Sequence, residues 1–179
     1  MKSFKIVIPV MILIAFFLLP SASALTESGA QRVPDFVTST LEGDRFVLTD
    51  WLQRPDHKVL VLTFLATWCG HCDEDLKFLQ RLQEQYADQG LRVLCVFTGS
   101  LSRVKEAQKY LEGLNIELPI LLDPKRVVSK RYQVPGFPST YAIDRDGILR
   151  IRCVGCSEDV KTTFERNLRN LLTPPEKEE

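Results

Sequence analysis

Two stretches of the chain, Lys58–Leu65 and Leu91–Thr98, carry apolar residues on both alternating faces, the pattern of strands covered by helices on either side. After the first, Leu76, Leu79, Leu82 and Tyr86 recur at helical spacing until Gly90 ends the run; after the second, Val104, Ala107, Leu111 and Leu114 do the same, with Ser100 and Ser102 placed to cap. Pro119–Leu122 predicts a short strand, and Asp123-Pro124 a further helix with an acid at its N-cap and proline at its first position. Ser139–Asp144 and Ile148–Cys153 alternate around Asp146-Gly147, a hairpin signal. A last helix begins near Ser157, with Glu158 and Asp159 in its first turn and Val160, Phe164, Leu168 and Leu171 on its apolar face. Upstream, Asp35–Val37 and Arg45–Leu48 flank the turn Glu42-Gly43-Asp44 and predict an N-terminal hairpin. Strands alternating with helices need right-handed crossovers and a parallel component, and the late hairpin adds an antiparallel edge. The expected fold class is α/β, a mixed sheet with helices on both faces.

Composition narrows the function. With 179 residues, 45% hydrophobic, and 23 Lys+Arg against 23 Asp+Glu, the chain suits one globular domain and presents no basic block, so no nucleic-acid partner is expected. At the N-terminus, Lys2 and Lys5 precede the apolar run Ile6–Leu19, and Ala22-Ser23-Ala24 supplies a small-residue cleavage pattern. That run is shorter than the roughly 20 residues that span a bilayer. Residues 1–24 are therefore expected to be a signal peptide, with an uncleaved anchor as the rival. Residues 25–34 read as a linker, 35–173 as the domain and 174–179 as a disordered tail. Export places the five cysteines in an oxidising compartment, where disulfides persist.

Cys69-Gly70-His71-Cys72 lies where the first buried strand gives way to a helix. The spacing is expected to put Cys69 at the helix N-terminus, where free N–H groups and the dipole favour a thiolate, and Cys72 one turn in and less exposed. Such a pair is unequal: Cys69 attacks a partner's disulfide and Cys72 resolves the mixed disulfide. His71 can carry positive charge and favour the reduced form. A closed structural disulfide or half a zinc site has the same spacing, but Trp68, the preceding strand and the following amphipathic helix are the surroundings of a redox pair.

At these residues the chain resembles the thioredoxin superfamily, and within it the exported TlpA/ResA-type thiol-disulfide oxidoreductases. The resemblance rests on Val33-Pro34-Asp35-Phe36, on Thr67–Cys72, and on the run from Tyr132 through Pro135-Gly136-Phe137-Pro138 to Gly147. It covers almost all of the chain after residue 24. It implies a thioredoxin-like sheet, protein thiol or disulfide substrates, a membrane or extracytoplasmic redox partner, a monomer, a place in cytochrome c maturation, and no cofactor or metal. It further implies that Pro138 is a cis-proline beside the active-site disulfide, and that Phe137 offers its backbone to a substrate peptide.

Three positions depart from the pattern. Thr63 stands where thioredoxins carry a buried Asp six residues before the first cysteine, so a water or another carboxylate must take the proton from Cys72. Lys77 replaces the helix-kinking proline, which predicts a straighter helix. The Gly-His dipeptide is that of protein disulfide isomerases, whereas reductive exported members commonly carry other pairs.

Outside this motif, Cys95 is expected to be a small core residue. Cys153 and Cys156 form a second Cys-x-x-Cys between the last strand and the last helix. They are expected to form a second disulfide that staples the loop; two free thiols, or a relay to Cys69, are the alternatives. A four-cysteine zinc site would need both pairs to converge. His57 is expected on the surface, and Glu74 and Asp75 are expected as first-turn charges. A thiol peroxidase on the same fold would carry Thr or Ser three residues before its reactive cysteine, where this chain has Ala66. A metal- or haem-pathway chaperone is a second rival; copper-delivery relatives space their cysteines one residue wider and add a distant histidine. The expected activity is extracytoplasmic thiol-disulfide exchange through Cys69 and Cys72, with Trp68, Gly70, His71, Phe137 and Pro138 shaping the site.

Overall fold

The computed structural model describes residues 31–66, 68–155 and 157–173. The expected signal peptide, the first part of the linker, the tail, Thr67 and Cys156 lie outside the described residues.

Seven strands form one sheet: β1 (Val37–Thr40), β2 (Arg45–Val47), β3 (Val59–Leu65), β4 (Leu91–Thr98), β5 (Ile120–Asp123), β6 (Ser139–Asp144) and β7 (Leu149–Val154). Their order is β2-β1-β5-β4-β3-β6-β7. β3, β4 and β5 run parallel at the centre, while the β1–β2 and β6–β7 hairpins close the two edges antiparallel. Among the described residues five α-helices accompany the sheet: α1 (Leu48–Leu52), α2 (Cys72–Tyr86), α3 (Val104–Gly113), α4 (Val127–Arg131) and α5 (Glu158–Leu172), with short 3-10 turns at Ala87–Gln89 and Leu101–Arg103.

The alternation of β3 and β4 builds two cores. Val59, Val61, Leu65, Val93, Cys95 and Phe97 face α2, α3 and α5, whose Leu76, Leu79, Leu111, Phe164 and Leu168 cover them. Leu60, Leu62, Phe64, Leu94 and Val96 face the other layer, where Phe36, Leu48, Val128 and Tyr132 pack. This is the mixed sheet with an N-terminal hairpin that the pattern predicts, in the thioredoxin-like form that the resemblance implies. Gly90 closes the α2–β4 connection at φ +96°; a Cβ there would sit 2.9 Å from the Lys58 side chain and 3.1 Å from its backbone nitrogen, so both conformation and space require glycine.

The structure differs from the sequence expectations at several places. The end of the expected linker is attached to the domain: Arg32 bridges Ile148, and the Val33 amide donates to the Gly147 carbonyl. Leu48 begins the short helix α1 instead of ending a strand. α4 starts at Val127, later than Asp123-Pro124 suggests, because Asp123 stays in β5 and reaches forward. Its carboxylate oxygens accept from the amides of Val128 (3.1 Å) and Ser129 (2.8 Å). The buried face of α5 is Lys161, Phe164, Leu168 and Leu172, and Val160 is exposed. His57 is buried: its ring lies 3.9 Å from that of Trp51, and its Nδ1 is 3.1 Å from the Trp51 carbonyl oxygen. A core histidine needs such a partner, and Trp51 supplies both the apolar face and the hydrogen bond.

Candidate active site

β3 ends at Leu65, and the chain turns through Ala66 and Trp68 into α2. The Cys69 amide donates to the Ala66 carbonyl (3.0 Å) and the Cys72 amide to the Cys69 carbonyl (3.4 Å), so a single turn delivers both sulfurs to the head of the helix. Cys69 and Cys72 are joined in a disulfide with Cα atoms 5.6 Å apart. Cys72 is completely buried, whereas Cys69 keeps 9% of its surface accessible.

One detail differs from the spacing argument. The first residue of α2 is Cys72 itself, with His71 as N-cap, and Cys69 lies in the preceding turn. The free amides of the first helical turn therefore lie nearest Cys72, and Cys69 shares their field because its sulfur is bonded to that residue. α2 then runs unbroken to Tyr86 past Lys77.

Around the disulfide, Trp68 is more than half exposed and meets the edge of Phe137 at 6.0 Å between ring centroids. The Phe137–Pro138 peptide is cis. Pro138 is buried immediately before β6, and its carbonyl accepts from the Gly155 amide at 3.0 Å, tying the proline loop to the segment after β7. Gly70 has open space where a side chain would project. A cleft of about 330 Å³ opens here between His71, Glu74 and Asp75 on one side and Phe137, Pro138 and Gly155 on the other. Two larger concavities lie at the other end of the central strands, lined by such residues as Trp51, Arg92 and Glu117, away from the Cys69–Cys72 disulfide.

Thr63, at the position of the missing acid, is buried, and its hydroxyl lies 3.1 Å from that of Thr140. The buried carboxylate near Cys72 is instead Asp75, one helical turn on. Asp75 is more than a first-turn surface charge: it is 5% exposed and pairs with Lys161 of α5 at 3.2 Å. Glu74 is exposed, as expected of a helix-start acid. Burial pulls the Lys161 ammonium down, but its hydrogen bonds with Glu158 and Asp75 together outweigh that and hold it above its ordinary value. Sequence reasoning missed this pair because a lysine on an apolar helix face scores as polar; its signal is the coincidence of Lys161 with the Phe164–Leu168 face.

Cys95 is free and fully buried in β4, and burial pushes its thiol up to about 12, as suits a core residue rather than a nucleophile. Cys153, buried in β7 opposite Thr140, is disulfide-bonded.

A Cys-x-x-Cys disulfide after a central parallel strand, on a thioredoxin-like sheet with a cis-proline loop, defines the class of thiol-disulfide oxidoreductases. The chain belongs to the AhpC/TSA family, whose model matches residues 30–152. It is 32% identical over 150 residues to the thiol-disulfide oxidoreductase ResA of Geobacillus thermodenitrificans (strain NG80-2), a match covering 80% of this chain and 83% of that one. It is likewise 32% identical over 125 residues to the thioredoxin-like protein YneN of Bacillus subtilis (strain 168), covering 70% of this chain and 71% of that protein. Among solved structures, a Chlorobium tepidum protein assigned as the thiol:disulfide interchange protein DsbE superposes with a TM-score of 0.71 at 27% identity, over 80% of this chain and 97% of that one.

Proposed function

We propose that the protein is an extracytoplasmic oxidoreductase exchanging disulfides with protein clients through Cys69 as nucleophile and Cys72 as resolving thiol. The observation that carries this reading is the closed Cys69–Cys72 disulfide, with Cys72 fully buried and Cys69 keeping 9% of its surface accessible, next to His71, which lines the Pro138 cleft. In the reduced protein the Cys69 thiolate attacks a client disulfide and expels one client thiolate, leaving a Cys69–client mixed disulfide. Cys72, losing its proton, then attacks the Cys69 sulfur and releases the second client thiolate. Two electrons pass to the client and the Cys69–Cys72 bond reforms. The reverse sequence oxidises a client dithiol by the same bonds. Trp68 and Phe137 give the mouth an apolar rim, Gly70 leaves it open, and Pro138 with Phe137 presents the backbone edge for an extended client segment.

Export rests on the short apolar run and Ala22-Ser23-Ala24; the 22% identical structural neighbour described as a secreted Mycobacterium tuberculosis disulfide oxidoreductase supports the shared fold alone. Among the described residues no helix is long and apolar enough to cross a membrane. A membrane or extracytoplasmic redox partner and a place in cytochrome c maturation belong to this reading through the resemblance to the TlpA/ResA type. Peroxide reduction fits less well, because Ala66 puts a buried methyl where a peroxide-orienting hydroxyl would stand. We assign Cys156 as the partner of Cys153, since Cys69 and Cys72 pair with each other and Cys95 is free.

The test is disulfide exchange by purified protein with a dithiol donor and insulin. Cys69→Ser is expected to abolish turnover, Cys95→Ala to leave it intact, and Cys72→Ala to hold a stable mixed disulfide. Activity surviving in Cys69→Ser overturns the assignment. Mass spectrometry of natively expressed protein is expected to show Leu25 as the first residue.

A further inference from the structure

Lys161 occupies a core position on α5, between the first turn and Phe164, and is only 5% exposed. Burying an ammonium is costly unless it is paired. Its Nζ lies 2.9 Å from a Glu158 carboxylate oxygen, 3.2 Å from Asp75 and 3.9 Å from Glu74, and 6.0 Å from the centroid of the Phe78 ring. Glu158 and Glu74 have exposed side chains and are screened by water, whereas Asp75 is as buried as the lysine. The dry part of the cluster is thus one ammonium and one carboxylate, shared between α5 and α2.

The place of Asp75 gives the pair its consequence. It follows Cys72 by three residues on α2, and residues at that spacing share a helix face with Cβ atoms about 5–6 Å apart. Cys72 and Asp75 are both buried, so water screens little between them. When a client dithiol reduces the Cys69–Cys72 disulfide, the client is oxidised by two electrons. The protein then holds a Cys69 thiolate and a Cys72 thiol, and one proton leaves to solvent. New negative charge therefore forms close to a carboxylate that is already buried.

We propose that Lys161 is a positioning residue for the thiol chemistry: it fixes Asp75 one turn from Cys72 and offsets the field of that carboxylate, so that reduction can leave a thiolate at the head of α2. The proposal rests on Cys69 and Cys72 being the redox pair. The charged groups facing the ammonium are Asp75 and Glu74 from α2 and Glu158 from its own helix, and His71 caps α2 at the cleft mouth beside them. With Lys161 removed, these carboxylates face the sulfurs uncompensated and the thiolate is disfavoured. With Asp75 neutralised, the ammonium is less opposed and the thiolate is favoured.

The experiment follows the pH dependence of Cys69 alkylation by iodoacetamide in fully reduced protein, resolved by mass spectrometry. It compares wild type with Lys161→Met, Lys161→Arg, Asp75→Asn and the Lys161→Met/Asp75→Asn double variant, and denaturant unfolding monitors each fold. Lys161→Met is expected to slow alkylation at pH 7 by about tenfold, equivalent to one pKa unit, and to move the profile to higher pH. Asp75→Asn is expected to move it to lower pH, the double variant to return close to wild type, and Lys161→Arg to preserve the wild-type profile. A clamp with no electrostatic part would lower the stability of Lys161→Met and leave the profile in place, which overturns the proposal. Shifts of Lys161→Met and Asp75→Asn in the same direction overturn it as well. If Lys161→Met does not fold, Asp75→Asn decides alone, and an unmoved or upward profile refutes the proposal. Failure of wild-type protein to exchange disulfides at all would instead bring down the oxidoreductase reading and this proposal with it.

Discussion

Thr63 and Thr140 face each other across β3 and β6 with their hydroxyl oxygens 3.1 Å apart, both buried beneath the helix that carries Cys72. Strand register extends this pair into a row, with Cys95 beside Thr63 on β4 and Cys153 beside Thr140 on β7. The row has no ionisable carboxylate, and each threonine answers the other's hydrogen-bonding need. Thr63→Val is therefore expected to strand the Thr140 hydroxyl and cost about 1–3 kcal/mol, whereas Thr63→Val with Thr140→Val costs much less, because the unsatisfied group is gone. Urea unfolding of the two single variants and the double variant measures this; additive losses would contradict it.

The proposed Cys153–Cys156 disulfide gives a separate stability test. Cys153 sits one strand from Thr140, and the Gly155 amide two residues on holds the Pro138 carbonyl. The segment after β7 is therefore tied both to the sheet and to the active-site loop. Closing a loop of four residues limits the unfolded chain by about 2 kcal/mol in the chain-entropy account. Cys153→Ser with Cys156→Ser is expected to lose about that much stability and to keep the exchange rate of Cys69 unchanged. Thiol counting on oxidised protein should find one free thiol, Cys95; three would remove the second disulfide. Loss of turnover with one redox partner, at an unchanged Cys69–Cys72 potential, would point to a relay instead of a staple.

His57 links burial to pH. Burial pushes its imidazole below the ordinary value, and the Arg92 and Arg54 charges push the same way, against the Trp51 carbonyl and Asp56. The folded protein thus favours neutral His57 more than the unfolded chain does. Its contribution is complete above the unfolded value of about 6.5 and is lost as pH falls through the depressed folded value. The stability gap between wild type and His57→Leu, read by urea unfolding from pH 8 to pH 5, is expected to narrow steadily toward acid. A gap that widens toward acid would reverse the sign.

The sheet was legible because its central strands are apolar on both faces, and no helix period can imitate that over β3 and β4. The Cys69–Cys72 pairing was legible from spacing and from its strand-to-helix setting, and the cis peptide before Pro138 from the resemblance to the thioredoxin superfamily. Side chains whose burial depends on a partner distant in sequence were not legible. Lys161 is core only because Asp75 comes to it from α2, and in the sequence Val160 fits the apolar period equally well. His57 is core because Trp51, on a five-residue helix too short to show a period, turns its ring against it. Asp123 looks like a helix N-cap in sequence and acts as one at a distance, from inside a strand.

The redox poise follows from the residues between the cysteines. His71 is the N-cap of α2 and is exposed, so its imidazole stands beside the sulfurs where the helix amides already favour a thiolate. Favouring the reduced form makes the disulfide a stronger oxidant. The potential is therefore expected nearer the isomerase value of about −180 mV than the thioredoxin value of about −270 mV. His71→Pro removes the imidazole and should make the protein more reducing. Equilibration with glutathione buffers, read by alkylation and mass shift, measures both proteins. A wild-type potential at or below that of thioredoxin would contradict the argument, because the acids Asp73, Glu74 and Asp75 in the first turn of α2 would then outweigh the histidine and the amides, and the protein would serve as a dedicated reductant.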